Sequence, residues 1–271
     1  MIDRIRKLLE PARREQVLPA TAASVAEVCD PIPEEHQLII PLDAPSPLPN
    51  VTIQGRLGDN SKLVLDKRLS ANAKIVILAH GQPGTHKDVS ISVGAIQAGR
   101  VSVIIAGSEI DLKVGASPRL FCKFGLGKKS VVRMGDGTTS SGFEVSCQEG
   151  RVTIGRDCQT ADGSMIMGAQ HHGIVDLTSG KPELRPQVPD VRVGDHVWLG
   201  FRCYIGGNAQ IGNGSIVAAQ SSVVSPMPAN CLIAGNPAKV RRKNIGWSRV
   251  PHDLDPGSKA YFAQLKLEEQ I

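Results

Sequence analysis

Aromatic rings are scarce in this 271-residue chain, at 3% of its residues. That excludes a core of large interlocking rings and favours a thin interior filled by Val, Ile, Leu and Ala. Long apolar runs are lacking as well. The longest, "IVILA" (75–79) and "VIIAG" (103–107), fall far short of the ~20 residues that cross a bilayer. The opening "MIDRIRKLLEPARREQ" has charge but no apolar stretch, so it does not read as a secretory signal. A weakly amphipathic basic helix there could still rest on anionic lipid, which leaves peripheral membrane contact open. A net charge of +5 with no aromatic-rich basic stretch gives no reason to expect nucleic acid. The six cysteines show neither C-x₂-C nor C-x₄-C spacing, so no thiolate metal site is expected.

Glycine, by contrast, is plentiful at 28 residues, and much of it falls in a regular pattern. Val193, Leu199, Ile205, Ile211, Val217 and Val223 lie six residues apart, with Gly or Ala directly after each of the first five. Six is not a helical period, which requires apolar residues at i, i+3, i+4 and i+7. A plain amphipathic strand would repeat its apolar residues more often. The pattern fits a short flat strand followed by a turn, with the aliphatic side chain inward and the small residue permitting the bend. The fifth slot of each hexad (Val197, Cys203, Ala209, Ser215, Ser221) is small, as a narrow interior requires. Short units at fixed spacing are the signature of a solenoid, in which each unit buries its apolar face against its neighbours. The expected class is all-β, a thin β-solenoid. Cys158 and Cys203 occupy the small inward slot and read as buried thiols of a reducing compartment, so a cytoplasmic protein is expected.

Three regions follow from this reading. Residues 1–50 are expected to form a helical segment broken by Pro11 and Pro19, then an extended connector with six prolines in 29–50. Residues 51–245 are expected to form the solenoid, with regular hexads at 154–171 and 193–222 and an excursion loop at 172–192; before 154 the period is imperfect. Residues 246–271 are expected to form a loop and a final helix. Longer excursions from a rigid scaffold are where function tends to sit.

The ordered set "IGRDC…HHGIVDLTSG…VRVGDHVWLG…IGNGSIVAAQSSVV…IAGNPAKV" resembles the hexapeptide-repeat acyltransferases, above all the bacterial sugar and polysaccharide O-acetyltransferases. The resemblance covers roughly residues 130–245. It implies a left-handed parallel β-helix, a homotrimer, and acetyl-CoA bound between neighbouring subunits with no metal. In the family the catalytic His lies one full coil after the first aliphatic of the "IGDNC"-like hexad. Eighteen residues on from Ile154 is His172, which is thus expected to be the general base, with His171 a neighbour or substrate contact. A sugar hydroxyl is a poor nucleophile at neutral pH and needs such a base as it attacks a thioester. Trp198 is expected to point outward and offer a stacking platform to a sugar ring or to the acyl-pantetheine arm. His196, at a hexad turn, is expected to be solvated.

The resemblance implies that the backbone N–H of Phe201 touches the thioester region and that the cofactor tail meets Ala219, Val224 and Asn236, with Lys239 and Arg242 at the phosphates. Two residues depart from the family pattern. Phe201 stands where many members carry Ser, and Gln220 replaces a Gly in "AAQS". Two rivals remain. A γ-type carbonic anhydrase would need three His ligands including an H-x₄-H pair, and His171, His172 and His196 lack that spacing. A non-catalytic glycan-binding solenoid would have no need of His172, Trp198 and Lys239 together.

Overall fold

The computed structural model describes residues 28–40, 46–185 and 187–265. The N-terminal helical segment expected from the sequence falls mostly at 1–27, outside the described residues. From Val51 the chain winds as a parallel β-helix with three faces. The first face stacks Lys62–Asp66, Val89–Val93, Ile110–Val114, Val131–Met134, Arg151–Ile154, Asp190–Val193 and Gln210–Ile211. The second stacks Thr139–Ser140, Gln159–Thr160, Trp198–Leu199, Ile216–Val217 and Cys231–Gly235. The third runs from Val51–Gln54 through Leu120–Leu126, Phe143–Gln148 and Ser164–Ala169 to Tyr204–Ile205 and Ser222–Val223.

The hexads behave as their chemistry requires. All six aliphatics from Val193 to Val223 are at most 3% exposed, and the small fifth-slot residues are buried beside them. The residue after each aliphatic bonds to the next coil: Gly194 N–H donates to the Ile211 carbonyl (2.8 Å) and Gly200 N–H to that of Val217 (2.8 Å). The coils approach so closely there that a Cβ on Gly200 would lie 2.7 Å from the Ala219 nitrogen. The fourth hexad slot turns the corner in the left-handed backbone region, at Asp157, Gly163, His196, Arg202, Gly214 and Gln220. For a non-glycine residue that conformation costs roughly 1–2 kcal/mol, which the packing around it must offset.

The earlier coils are wider, which is why six-residue spacing fades before 154. Val101 pairs with Cys122 and Cys122 with Phe143, 21 residues per turn, whereas Trp198 pairs with Ile216 and Tyr204 with Ser222, 18 per turn. The wide coils admit rings. Phe124 and Phe143 meet edge-on inside them at 6.5 Å, while the narrow coils hold only aliphatic and small side chains.

Both ends of the coil carry an antiparallel strand. The proline-rich connector contains the strand Gln37–Ile40, which pairs with Lys62–Asp66. At the other end Ala238–Lys243 folds back on Cys231–Gly235. Residues 28–30 run along the corner between the first and second faces, where the Asp30 N–H donates to Asp136 (2.9 Å) and Asp30 pairs with Arg156 (2.7 Å). The helix Pro256–Gln264 follows the coil, capped by Asp255. The excursion leaves the third face after Ala169 and returns at Asp190. It carries an antiparallel hairpin, Ile174–Asp176 with Glu183–Arg185, and its Ile174, Leu177, Leu184 and Val188 are all exposed.

Candidate active site

The singled-out residues lie at separate places on the prism. His172 and His171 are both exposed, at the foot of the excursion, at the corner between the third and first faces. The side-chain amide of Gln170 donates to the His172 carbonyl (3.0 Å), and the Asp190 N–H, donating to Asn208 (3.1 Å), fixes the returning limb. Val224 stacks at this same corner, its carbonyl 3.2 Å from where a Cβ on Gly207 would sit. Phe201 and Ala219 lie at the opposite edge of the third face. They are successive turns of one corner, since the Gln220 N–H donates to the Phe201 carbonyl (2.8 Å). Their own N–H groups lie outside the coil-to-coil ladder, and the Arg202 guanidinium sits 4.8 Å over the Phe201 ring. One hexad side separates the two corners, up to ~20 Å at ~3.3 Å per residue. His172 and Phe201 thus stand at different corners of the coil.

The second face supplies the rest. Trp198 points outward, 38% exposed, in register with Gln159 on one side and Ile216 on the other. The outward column continues through Leu232 to Arg242. Lys239 and Arg242 are three apart on one strand, which in a regular strand would send them to opposite faces. A register shift at Leu232/Ile233 leaves Arg241 as the extra residue, with Lys239 opposite Ala234 and Arg242 opposite Leu232. That bulge brings both cations to the outer side. Both are exposed, and neither has an ion-pair partner among the described residues. Asn236 is exposed in the turn just before them, ahead of a cis Pro237.

His196 contradicts the expectation of a solvated residue. It is 1% exposed, because the segment after the coil folds over it. Its Nδ1 lies 2.8 Å from Asp157 Oδ2, its Nε2 3.2 Å from the Trp247 carbonyl, and its backbone carbonyl accepts from the Trp247 indole N–H (2.8 Å). Asp157 occupies the same hexad slot one coil earlier and also pairs with Arg249 (2.7 Å). Sequence reasoning missed this group. A histidine and an aspartate stacked in the left-handed corner slot were the available signal. Burial works against ionising Asp255, but bonds from the Ser258 hydroxyl, the Arg249 N–H and the Ser248 hydroxyl outweigh it and hold its carboxyl well below the usual range. Cys158 is inward and its thiol is pushed up to about 12, chiefly by burial, which makes it inert.

Among the described residues no group of three or more His, Cys, Asp and Glu is placed to hold a metal ion. His171 and His172 sit at one corner and His196 is buried at another.

Comparison with known proteins matches residues 190–224 to the bacterial transferase hexapeptide (six repeats) model. Over those residues the coil is similar to the bacterial transferase hexapeptide repeat. Over 124 residues it is 32% identical to the polysialic acid O-acetyltransferase of Escherichia coli O1:K1 / APEC, covering 45% of this chain and 40% of that one. The chain spans about half the length of the curated relatives it matches. Among solved structures, the polySia-specific acetyltransferase NeuO superposes with a TM-score of 0.67 at 24% identity, covering 79% of this chain and 98% of that one. The polysialic acid O-acetyltransferase OatWY gives 0.51 at 21%, covering 75% and 90%. The hexapeptide fold is thus a left-handed parallel β-helix.

Proposed function

We propose that this chain is an acetyl-CoA-dependent O-acetyltransferase acting on a hydroxyl of a sugar or polysaccharide, with His172 as general base. The observation that carries the reading is the break in the hexapeptide coil. Ile154, Thr160 and Ile166 fill successive inward slots. At the next slot the chain departs, exposing His172 instead of burying an aliphatic, and Val193 resumes the register opposite Ile154. An imidazole anchored at its root and open at its tip suits a base that takes a proton from a bulky acceptor. Acetyl-CoA, when bound, supplies an acyl group already activated as a thioester. The N–H groups of Phe201 and Ala219, unpaired among the described residues, fit a thin polar arm. The two free cations Lys239 and Arg242, beyond Asn236 and near Val224's end of the coil, fit its phosphates. Trp198 orients what lies between them. The acceptor's chemistry is a carbohydrate hydroxyl; the relatives named above act on a polysaccharide. Incubation with acetyl-CoA and a glycan panel, with and without a chelator, should give a mass gain of one acetyl group that the chelator leaves intact. Loss with chelator would favour a metal enzyme, and glycan retention without transfer would favour a binding solenoid.

The separation of the His172 and Phe201 corners supports a site completed by a second copy of the chain, and a homotrimer closes such contacts by symmetry. The corner between the first and second faces is covered by residues 28–30 and by the segment around Trp247. The exposed aliphatics of the excursion gain by burial against a neighbour. Mass photometry at micromolar concentration should show a trimer; a purely monomeric peak would remove the shared site. Among the described residues no helix is long and apolar enough to cross a membrane. We place the enzyme in the cytoplasm, where acetyl-CoA and reduced thiols are both available.

A further inference from the structure

We propose that the segment following the coil forms part of the substrate site, with Trp247 as the positioning residue that fixes the Trp198 indole. The inference rests on reading Trp198 as a substrate contact, and it begins from how firmly Trp247 is held. Its ring stacks on the His196 imidazole at 4.4 Å and 12°. The two residues also exchange polar contacts in both directions, through the indole N–H, the imidazole Nε2 and both backbone carbonyls. Tyr261 stacks on His196 at 4.7 Å and 21°. Two rings cannot occupy one face of an imidazole, so His196 lies between the indole and the phenol. The Tyr261 hydroxyl donates to Asn230 (2.7 Å). Arg249 pairs with Asp157, donates to its carbonyl (2.9 Å) and lies 5.3 Å over the Trp247 ring. Two glycines keep the seat open: a Cβ at Gly214 would strike the Tyr261 phenol, and one at Gly257 the Asp157 carboxylate.

Trp198 has no such holding of its own. Beyond its strand register, its ring contact among the described residues is with Trp247, at 6.2 Å and 42°. An outward side chain on a two-residue strand has several staggered wells open to it. Trp247, 7% exposed and locked, occupies the side toward the first face and denies Trp198 the rotamers that would swing it there. A platform that orients a substrate loses its value if it moves. The buried indole thus acts at one remove, by limiting where the exposed one can point.

These are the chain's two tryptophans, so each substitution leaves a single reporter. In the full-length protein labelled with 5-fluorotryptophan, with Trp198→Phe assigning the two resonances, Trp247→Phe should move the Trp198 resonance toward its solvent-exposed position and narrow it. With acetyl-CoA and an accepted glycan, KM should rise about tenfold and kcat change less than about twofold, the split expected of a lost positioning contact. Should the variant fold poorly, 5-fluorotryptophan-labelled wild-type protein titrated with acetyl-CoA and the same glycan gives the same test, with both fluorine resonances expected to move, the buried Trp247 included. An unchanged Trp198 resonance in Trp247→Phe, or movement of the Trp198 resonance alone on adding the ligands to wild type, overturns the inference and leaves the acetyltransferase reading intact. A freed Trp198 with unaltered KM instead overturns Trp198 as a substrate contact, and this inference with it.

Discussion

Replacing His172 with Ala should lower acetyl transfer ~10²–10⁴-fold, the usual contribution of a positioned general base, while leaving acetyl-CoA affinity nearly unchanged. The asymmetry follows from where the group acts. A base accepts its proton as the new bond forms, so its removal is felt in the transition state and scarcely in the ground-state complex. His172 is suited to this because it leaves the coil at an inward slot, with its backbone tied by Gln170 and its ring exposed. His171→Ala is the control, expected to cost less than about tenfold, since a neighbour that only touches substrate contributes to uniform binding. If the two variants exchange behaviour, the chemistry belongs to His171 and the count from Ile154 is out by one. If neither variant loses activity, no excursion histidine serves as base.

Reversing Lys239 and Arg242 together to Glu should weaken coenzyme A binding by ~10²–10³-fold at low salt. Charge-assisted bonds to phosphate are worth ~1.5–3 kcal/mol each, and both side chains are exposed, so screening takes back part of that. The loss should shrink as ionic strength rises. The bulge at Arg241 is what lets the two cations act as one, since it turns both to the outer side. Titrations with coenzyme A and its dephospho form separate their roles. If Arg242 meets the 3′-phosphate, Arg242→Glu alone should weaken coenzyme A binding more than dephospho-coenzyme A binding. Equal losses would assign Arg242 to the pyrophosphate, and no loss for either ligand would move the nucleotide away from this strand.

The hexads from 193 to 223 were legible because an 18-residue turn leaves room for only one register, and every inward residue there obeys it. The coils before 154 were not, because turns of 20 or more residues let each side hold a longer strand; their strands show the two-residue alternation of any half-buried strand. Leu120, Cys122, Phe124 and Leu126 read as one ordinary strand until their partners are known. His196 was misread for a different reason. Slot position says which way a side chain leaves the coil, and nothing about what returns from 50 residues further on to cover it. The bulge that aligns Lys239 with Arg242 left no trace in "AKVRRK", since any residue can serve as the extra one.

Because each coil touches only the one before and the one after, the molecule is a one-dimensional stack, and stacks open from their ends. The excursion, Trp198, Ala219 and the cations all belong to its last few turns. The antiparallel strand Ala238–Lys243 and the seat around His196 therefore act as the brake on fraying for the whole active region, while the wide early coils rest on the opposite terminus. A core lesion at Val101 or Phe124 would cost much of the folding enthalpy and leave these last turns paired. Loosening Tyr261 or Arg249 would hardly register in a calorimeter, yet it would release the turns that hold Trp198, Ala219 and the cations.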